Sequence, residues 1–316
     1  MQRSSYLAAL SILFAAFVMH APLHADTFST LGTEFDIDFV SIGSPGEGGV
    51  DYEYRIGKFE INREQVGFSN QLGGLGLELF HSETFGPARP EMPAAAVSTN
   101  EAARFVNWLN EIEGFPHAYK FEQQPGEEGY SANAFFDPWQ PDDPGYDPDN
   151  VLRNSQARYV IPSDDEWVKA AYFRPGVGLQ RLPGIVDGEE IVYQTSAPVD
   201  VMDAGTSTLN GVVGIIGNVW EINESPFSDR NAVFPGEIPR EDFWQRMRGG
   251  GWTPTFSDES RFNFSSSHHG VTHYDAQVFH QGFRVASVPE PTFHSLWLVG
   301  LLFVSRRLIP NKRKTG

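Results

Sequence analysis

The sequence predicts a loop-rich α+β domain with short helices and short strands. Three observations support this fold class. Only three segments combine a helix-capping signal with helical spacing of apolar residues, the β-prone runs are short, and the 316 residues include 31 glycines and 22 prolines. Because glycine and proline interrupt regular elements, long helices and strands cannot account for much of the chain.

The first elements predicted along the chain are two strands and a helix. The β-prone runs are residues 35–40 and 52–56. The helix that follows can be capped by Asn62, with Gln65 at its third helical position, and two glycines end it after about Leu72.

Two further helices are predicted from capping boxes. Ser98 and Glu101 form the first box and precede apolar residues at i, i+3, i+4 and i+7 spacing, which predicts a helix with one buried face. Ser163 and Glu166 form the second box and precede Trp167 at the start of another helix. Acidic side chains in the first turn of that helix complement its dipole.

The most irregular stretch, residues 122–150, is predicted to be a surface insertion. It contains five aspartates between Asp137 and Asp149. Clustered carboxylates can bind calcium, but the spacing matches no EF-hand loop and prolines interrupt it. A solvated acidic loop is therefore the favoured interpretation, with calcium as the alternative.

The N-terminus has the pattern of a secretory signal peptide. Residues 1–25 contain one charge, Arg3, then an apolar run, and end at Ala25, after which we expect cleavage by signal peptidase. The alternative is a membrane anchor, although the apolar run, residues 6–19, is shorter than the ~20 residues that span a bilayer.

The C-terminus, residues 288–316, has a second tripartite pattern. A P-E-P triplet precedes an apolar stretch, residues 293–304, and a basic cluster within residues 306–314. This order resembles the PEP-CTERM sorting signal of Gram-negative bacteria. The resemblance implies recognition by an exosortase, transient membrane insertion through the apolar stretch, and delivery to the cell surface or the exopolysaccharide matrix. Cleavage and retention as an anchor are both compatible with the pattern, and residues 26–287 are the expected exported domain.

Charge and cysteine content exclude several functions. The chain has 23 basic and 41 acidic residues and no cysteine, giving a formal charge of −18. An acidic field repels phosphate backbones, so we expect no nucleic-acid partner; cations, polysaccharide hydroxyls or a basic protein suit it better. The alternative is that the acidity only keeps the protein soluble.

Without cysteine there is no disulfide, thiolate metal site or cysteine nucleophile.

Five segments, in order across the exported domain, resemble the formylglycine-generating enzyme, or sulfatase-modifying factor, family. G-N-V-W-E, R-G-G-G-W and G-F-R-V-A carry most of the specificity. The resemblance implies a fold akin to C-type lectins, with an irregular ligand-facing surface over a small antiparallel sheet. The segments are residues 54–62, 93–109, 159–173, 210–221, and the pair 248–252 with 282–286.

Physically, these segments predict a scaffold. Arg248 and Arg284 suit bidentate pairing with Glu221 or Glu166 inside the domain, and the alternative is that the arginines line a site. Glycines permit tight backbone and tryptophans supply large buried surfaces. These residues are Gly217, Gly249, Gly250, Gly251, Trp167, Trp220 and Trp252.

The resemblance also shows where the family's chemistry is missing. Family members that make formylglycine hold copper(I) with two cysteines between R-G-G-x-W and G-F-R. Here that interval has no sulfur, and serine cannot replace thiolate as a donor to a soft cation. We therefore expect no copper(I), no oxidase activity and no catalytic residues there. The serines of the interval include Ser260, Ser265, Ser266 and Ser267.

A calcium site implied by the resemblance is weakened in this sequence. Relatives place an acidic or amide side chain seven residues before the Glu of G-N-V-W-E, where this chain has Gly214. Gly217, Val219 and Glu221 can still supply oxygens, so a weak calcium site at these three residues is an expectation.

Histidines in the cysteine-free interval offer a different metal hypothesis. His268, His269, His273 and His280 lie there together with Asp275. Imidazole suits zinc, copper(II) or iron, so a loop that gathered three rings and Asp275 would form a transition-metal site. Exposed histidines that bind no metal are the favoured alternative.

Two functions remain open from the sequence. The first is a non-catalytic binding or recognition protein, exported and associated with the cell surface or matrix, which keeps the scaffold without the thiols. The second is a diverged metal-dependent oxidoreductase that uses the histidine cluster. Enzyme activity is not expected under the first hypothesis, and copper-dependent formylglycine generation is not expected because cysteine is absent.

Overall fold

Three short helices and two main β-sheets form the regular structure in the part of the chain that the computed structural model describes. The described residues are 24–83, 86–183, 191–193, 195–205, 207–227, 244–253 and 264–289. Long connections without regular structure join these elements, which confirms the predicted loop-rich α+β fold class.

The first sheet has five antiparallel strands. They are β1 (His24–Thr30), β2 (Thr33–Ile42), β3 (Tyr54–Gly57), β4 (Tyr159–Val160) and β11 (Ala286–Ser287). Their order in the sheet is β1-β2-β3-β11-β4. The predicted β-prone runs fall in β2 and β3, and alternate residues of β2 (Phe35, Ile37 and Phe39) are buried in the core.

The second sheet brings the three family motifs side by side. Its strands are β7 (Trp220–Pro226), β8 (Trp244–Arg248), β9 (Gly270–His273) and β10 (Gln281–Phe283). A separate two-stranded hairpin consists of β5 (Phe173–Arg174) and β6 (Gly178–Leu179). The order is β10-β7-β8-β9, with β10 parallel to β7 and the other pairs antiparallel. Glu221 of β7 lies opposite Arg248 of β8 and Gly282 of β10.

All three helices begin at the predicted caps. The helices are α1 (Arg63–Gly73), α2 (Thr99–Ile112) and α3 (Asp164–Tyr172). Asn62, Ser98 and Ser163 each accept a hydrogen bond from the third helical residue, and each capping box is complete. The prediction of one buried face for α2 is wrong, because residues 99–110 are all buried.

The irregular segment 122–150 lies against α2 and buries its polar face. It contains no helix or strand, as predicted. The guanidinium of Arg104 on α2 lies 3.5 Å from the ring centroid of Phe121 and donates to the carbonyls of Gln123 and Ser131. The hydrogen bonds to Gln123 and Ser131 hold the segment against α2.

No helix in the described ranges is long and apolar enough to cross a membrane. Residues 1–23 of the predicted signal peptide lie outside the described residues, as do the apolar and basic parts of the predicted sorting signal.

Candidate functional site

The family motifs meet at a fully buried ion pair between Arg284 and Glu221. The guanidinium binds both carboxylate oxygens of Glu221, and Trp167 Nε1 donates to Oε2 at 2.6 Å. Arg284 also donates to the carbonyls of Gly57 and Val213, on segments distant in sequence. The predicted pairing of Arg284 with Glu221 is confirmed, and it ties both sheets and α3 to one point.

Arg248 makes a different pair from those predicted. Its Nε and Nη2 each lie 2.6 Å from an oxygen of Asp164, and Arg246 approaches the same carboxylate at 2.9 Å. Burial tends to raise the pKa of Asp164, but the hydrogen bonds from Arg248 and Arg246 outweigh burial and hold the pKa below its usual value. Glu166, the predicted partner, binds Arg153 instead.

A second buried carboxylate, which the sequence analysis missed, lies near Glu221. Glu60 is 2% exposed, and its Oε2 accepts a hydrogen bond from Asn218 Nδ2 at 3.2 Å. Its Oε1 is buried without a hydrogen-bond partner. Burial, and then repulsion from Glu221, raise the pKa of Glu60 to about 8, although Arg284, Asn218 and the Val219 backbone offset part of the rise. At neutral pH Glu60 is therefore mainly protonated, and Arg284 balances the charge of Glu221.

Neither metal implied by the family gains support from these residues. Copper(I) does not fit, because the chain contains no thiolate donor. For calcium, both oxygens of Glu221 already accept hydrogen bonds from Arg284 and Trp167, and Gly214 has no side chain to offer. A Cβ at Gly214 would lie 2.9 Å from Ala204 Cβ and 3.1 Å from Glu60 Oε2, so the space for a side chain is already filled. Calcium at Gly217, Val219 and Glu221 stays a prediction that depends on backbone carbonyls.

The four histidines of the cysteine-free interval pack against different aromatic rings. Ring-centroid distances are 6.0 Å from His268 to Trp220, 5.4 Å from His269 to Phe227, 5.7 Å from His273 to Trp244 and 4.7 Å from His280 to Phe279. Burial lowers the pKa of His268, His269 and His280, so these rings are neutral at pH 7.

The described residues do not assemble a transition-metal site. No three His, Asp or Glu side chains within the described ranges are grouped so as to hold a metal ion. The carboxylate of Asp275 is hydrogen-bonded to His273, whereas the ring of His280 packs against Phe279. The absence of a metal-binding group extends to the described aspartates of the insertion. Ser265 and Ser267 lie 3.1 Å apart through their hydroxyls, and Ser260 lies outside the described residues.

One face of the paired strands β8 and β9 presents an aromatic surface to solvent. Trp244 and His273 are opposite each other in register, and Phe135 packs edge-on against the His273 ring at 5.9 Å. Trp244 is 47% exposed, and Phe227, at the end of β7, is 42% exposed. The carboxylate of Asp275 is hydrogen-bonded to Nδ1 of His273. We call Trp244, His273, Phe135, Phe227 and Asp275 the aromatic surface.

The aromatic surface was not predicted, although part of its signal is in the sequence. In β8, Trp244 and Arg246 alternate with the buried Gln245 and Met247. That alternation indicates an outward-facing tryptophan once the strand is known. The contact with Phe135 could not be predicted, because it depends on the path of residues 122–150. This segment is held next to the end of β9 by a hydrogen bond of 2.9 Å from Asn133 Nδ2 to the carbonyl of Asp275.

Comparisons with known proteins agree with this architecture. A family model, the sulfatase-modifying factor enzyme 1-like domain, matches residues 52–288. Among solved structures, the chain is similar to Treponema denticola variable protein 1, at 19% identity and a TM-score of 0.57 over 84% of this chain and 99% of that one. It is also similar to CarF, at 15% identity and a TM-score of 0.53 over 80% of this chain and 99% of that one. At these identities the likeness shows the fold alone, and no curated protein matches the chain.

Proposed function

The chain belongs to the family of sulfatase-modifying factor enzyme 1-like domains, and from this premise we propose that it is a non-catalytic binding protein that holds carbohydrate on the aromatic surface. The formylglycine-generating-enzyme-like fold is present, and the thiols that would hold copper(I) are missing from the whole sequence. The scaffold is thus retained without the donors that the family's oxidation requires.

The observation that carries the proposal is the exposed indole of Trp244, which packs edge-on against the ring of His273. A sugar ring has an apolar face of C–H groups and a rim of hydroxyls. The indole matches the apolar face, while His273 and Asp275 supply hydrogen-bond donors and acceptors for the rim. Phe135 and Phe227 extend the apolar area. The strong acidity of the chain disfavours anionic partners, which leaves neutral polysaccharides as the best match.

The proposed location is outside the inner membrane of a Gram-negative bacterium. The support is the pattern at both ends of the sequence, which calls for signal peptidase and exosortase as transient processing partners. At that location the proposed ligand is an exopolysaccharide of the cell surface or matrix. Carbohydrate binding of this kind does not require the copper-binding cysteines that the family's oxidation needs.

Replacing Trp244 with alanine is expected to weaken polysaccharide binding at least about tenfold, because a central aromatic contact contributes about 2 kcal/mol or more to binding. The measurement is the dissociation constant for a panel of neutral polysaccharides by affinity electrophoresis. Leu179→Ala is the matched control, since Leu179 is 49% exposed on the β5–β6 hairpin, and it should bind as the parent does. Equal affinity in the Trp244 and Leu179 variants would refute the assignment of the surface.

A further inference from the structure

A cavity of about 580 Å³ lies at the end of the first sheet where β2 ends and β3 begins. Arg55 and Arg158 line it, and Glu53 is the only carboxylate among the described residues of its lining. The lining thus has more basic than acidic side chains, although the chain as a whole has a formal charge of −18. Val288 and Pro289, the last described residues before the C-terminal pattern, also belong to the lining.

The register of the first sheet places both ends of the expected exported domain at this cavity. Because β1 is antiparallel to β2, the chain enters β1 at the end of the sheet where β2 finishes at Ile42. Because β11 is antiparallel to β3, the chain leaves β11 at the end where β3 starts at Tyr54. Ile42 and Tyr54 are opposite each other in register. The chain therefore enters and leaves this sheet at the same end of its strands.

Arg55 connects the two ends of the expected exported domain. Its guanidinium donates to both carboxylate oxygens of Asp26, at 2.7 and 2.6 Å, and to the hydroxyl of Ser287 at 2.8 Å. Asp26 thus balances the charge of Arg55, and the guanidinium of Arg158 adds positive charge to the lining. The Arg158 guanidinium lies 5.3 Å from the ring centroid of Phe115. A guanidinium over a ring keeps its N–H donors in its own plane, where a carboxylate can accept from them.

We propose that this cavity holds the P-E-P triplet of the same chain, residues 289–291, with the carboxylate of Glu290 bound by Arg158. Pro289 is part of the lining, and consecutive Cα atoms are about 3.8 Å apart, so Glu290 follows within one residue of the cavity. The N–H of Val288 donates to the carbonyl of Arg158 at 2.9 Å, which fixes the chain beside Arg158 just before the triplet. Arginine and a carboxylate form two parallel charge-assisted hydrogen bonds.

The triplet fits this cavity better than a free anion. The negative charge of the chain disfavours anions from solution, whereas Glu290 is already attached beside the cavity. Proline fixes its own φ angle, and the residue before a proline favours an extended backbone, so docking costs the triplet little conformational freedom. Ile42 and Val288 give the lining an apolar part that suits the proline rings.

The proposed contact holds the start of the C-terminal sorting pattern on the folded domain. An enzyme that recognises the triplet must then displace Glu290 from Arg158 before it can bind. This consequence rests on the proposed export. The contact itself depends on neither export nor carbohydrate binding, so it can be tested separately from both.

The test uses a nitroxide spin label on the purified full-length protein. Because the chain has no cysteine, Thr292→Cys creates a single labelling site next to the triplet. We expect the electron paramagnetic resonance spectrum to contain a slow component from the docked segment. Glu290→Gln should lower the ratio of slow to fast label at least about threefold, because the neutral amide loses the charge-assisted hydrogen bonds. Arg158→Gln should have the same effect.

Two further variants separate this ion pair from general effects of charge. Arg174→Gln removes an exposed arginine from β5 and should leave the ratio unchanged. The exchanged pair, Arg158→Glu with Glu290→Arg, keeps opposite charges and should restore part of the slow component.

A second label tests where the segment lies. Ser41→Cys places a label on β2 at the cavity, and the distance from it to the label at position 292 is measured by double electron–electron resonance. The distance distribution should be one narrow peak in the parent and should broaden in Glu290→Gln.

The proposal is overturned by an absent slow component, by a slow component that Glu290→Gln leaves unchanged, or by a broad distance distribution in the parent. Release of the label by inorganic phosphate, but not by chloride at the same ionic strength, would assign the cavity to a phosphate ligand and also overturn it. If Arg158→Gln does not fold, as judged by its thermal transition, Glu290→Gln decides alone, because it leaves residues 26–287 unaltered.

Discussion

Replacing Arg284 with methionine is expected to destabilise the domain by about 3–5 kcal/mol, because it leaves Glu221 buried beside Glu60 without a positive charge. The carbonyls of Gly57 and Val213 lose their donors as well. Since domains unfold with a total free energy of about 5–15 kcal/mol, this change should remove a large fraction of the stability. The measurement is urea unfolding followed by tryptophan fluorescence, with the free energy taken from midpoint and slope.

The matched control is Arg89→Met. Arg89 pairs with Asp200 at 2.8 Å, but its side chain is 41% exposed. An exposed ion pair contributes about 0–1 kcal/mol, so this variant should unfold close to the parent. Adding Glu221→Gln to Arg284→Met should recover part of the loss, because the amide keeps an acceptor for Trp167 without the charge. A similar free energy of unfolding for Arg284→Met and Arg89→Met would contradict the stabilising role of the buried Arg284 charge.

Gly217→Ala is expected to destabilise the domain nearly as much as Arg284→Met, because the added Cβ has no space. Gly217 has φ +90°, and a Cβ there would lie 2.4 Å from the carbonyl oxygen of Val192. The two segments are hydrogen-bonded through Asn218 N–H and the Val192 carbonyl, so neither can move away without breaking a contact. Backbone strain and overpacking each cost about 1–3 kcal/mol. The change should lower the melting temperature by several degrees.

Gly211→Ala separates the two contributions. Gly211 also has φ +90°, but the nearest atom to a Cβ would be Val40 Cγ1 at 3.5 Å, an ordinary contact. This variant should show the backbone strain alone and melt between the parent and Gly217→Ala. Equal melting temperatures for the two alanine variants would show that the close approach to Val192 is relieved without cost.

The sequence predicted the local parts of the fold well. Each helix starts at its predicted cap because the capping box is formed within four consecutive residues, as at Ser98 and Glu101. The full burial of α2 was missed because it depends on residues 122–150, whose path is not set by periodicity. The parallel pairing of β10 with β7 was likewise not predicted, since it joins segments that other elements separate.

Predictions about the site failed where partners are distant in sequence. Arg248 pairs with Asp164, 84 residues away, because α3 turns Asp164 toward β8 and Glu166 toward Arg153. Glu60 and Asn218 are 158 residues apart, and only the assembled sheets bring them together. The pairing of Arg284 with Glu221 was predictable because both lie in recognisable motifs. The sequence could not show that a second carboxylate shares their site.

The claim that this family scaffold functions without the family's oxidation is tested most directly by an aldehyde assay. A sulfatase peptide with its target cysteine is incubated with the purified protein, copper(I) and oxygen, and the aldehyde is trapped and detected by mass spectrometry. A family member that has both cysteines serves as the positive control. Because the chain has no cysteine, we predict no aldehyde above the level without protein. Aldehyde that increases with the amount of this protein would contradict the account.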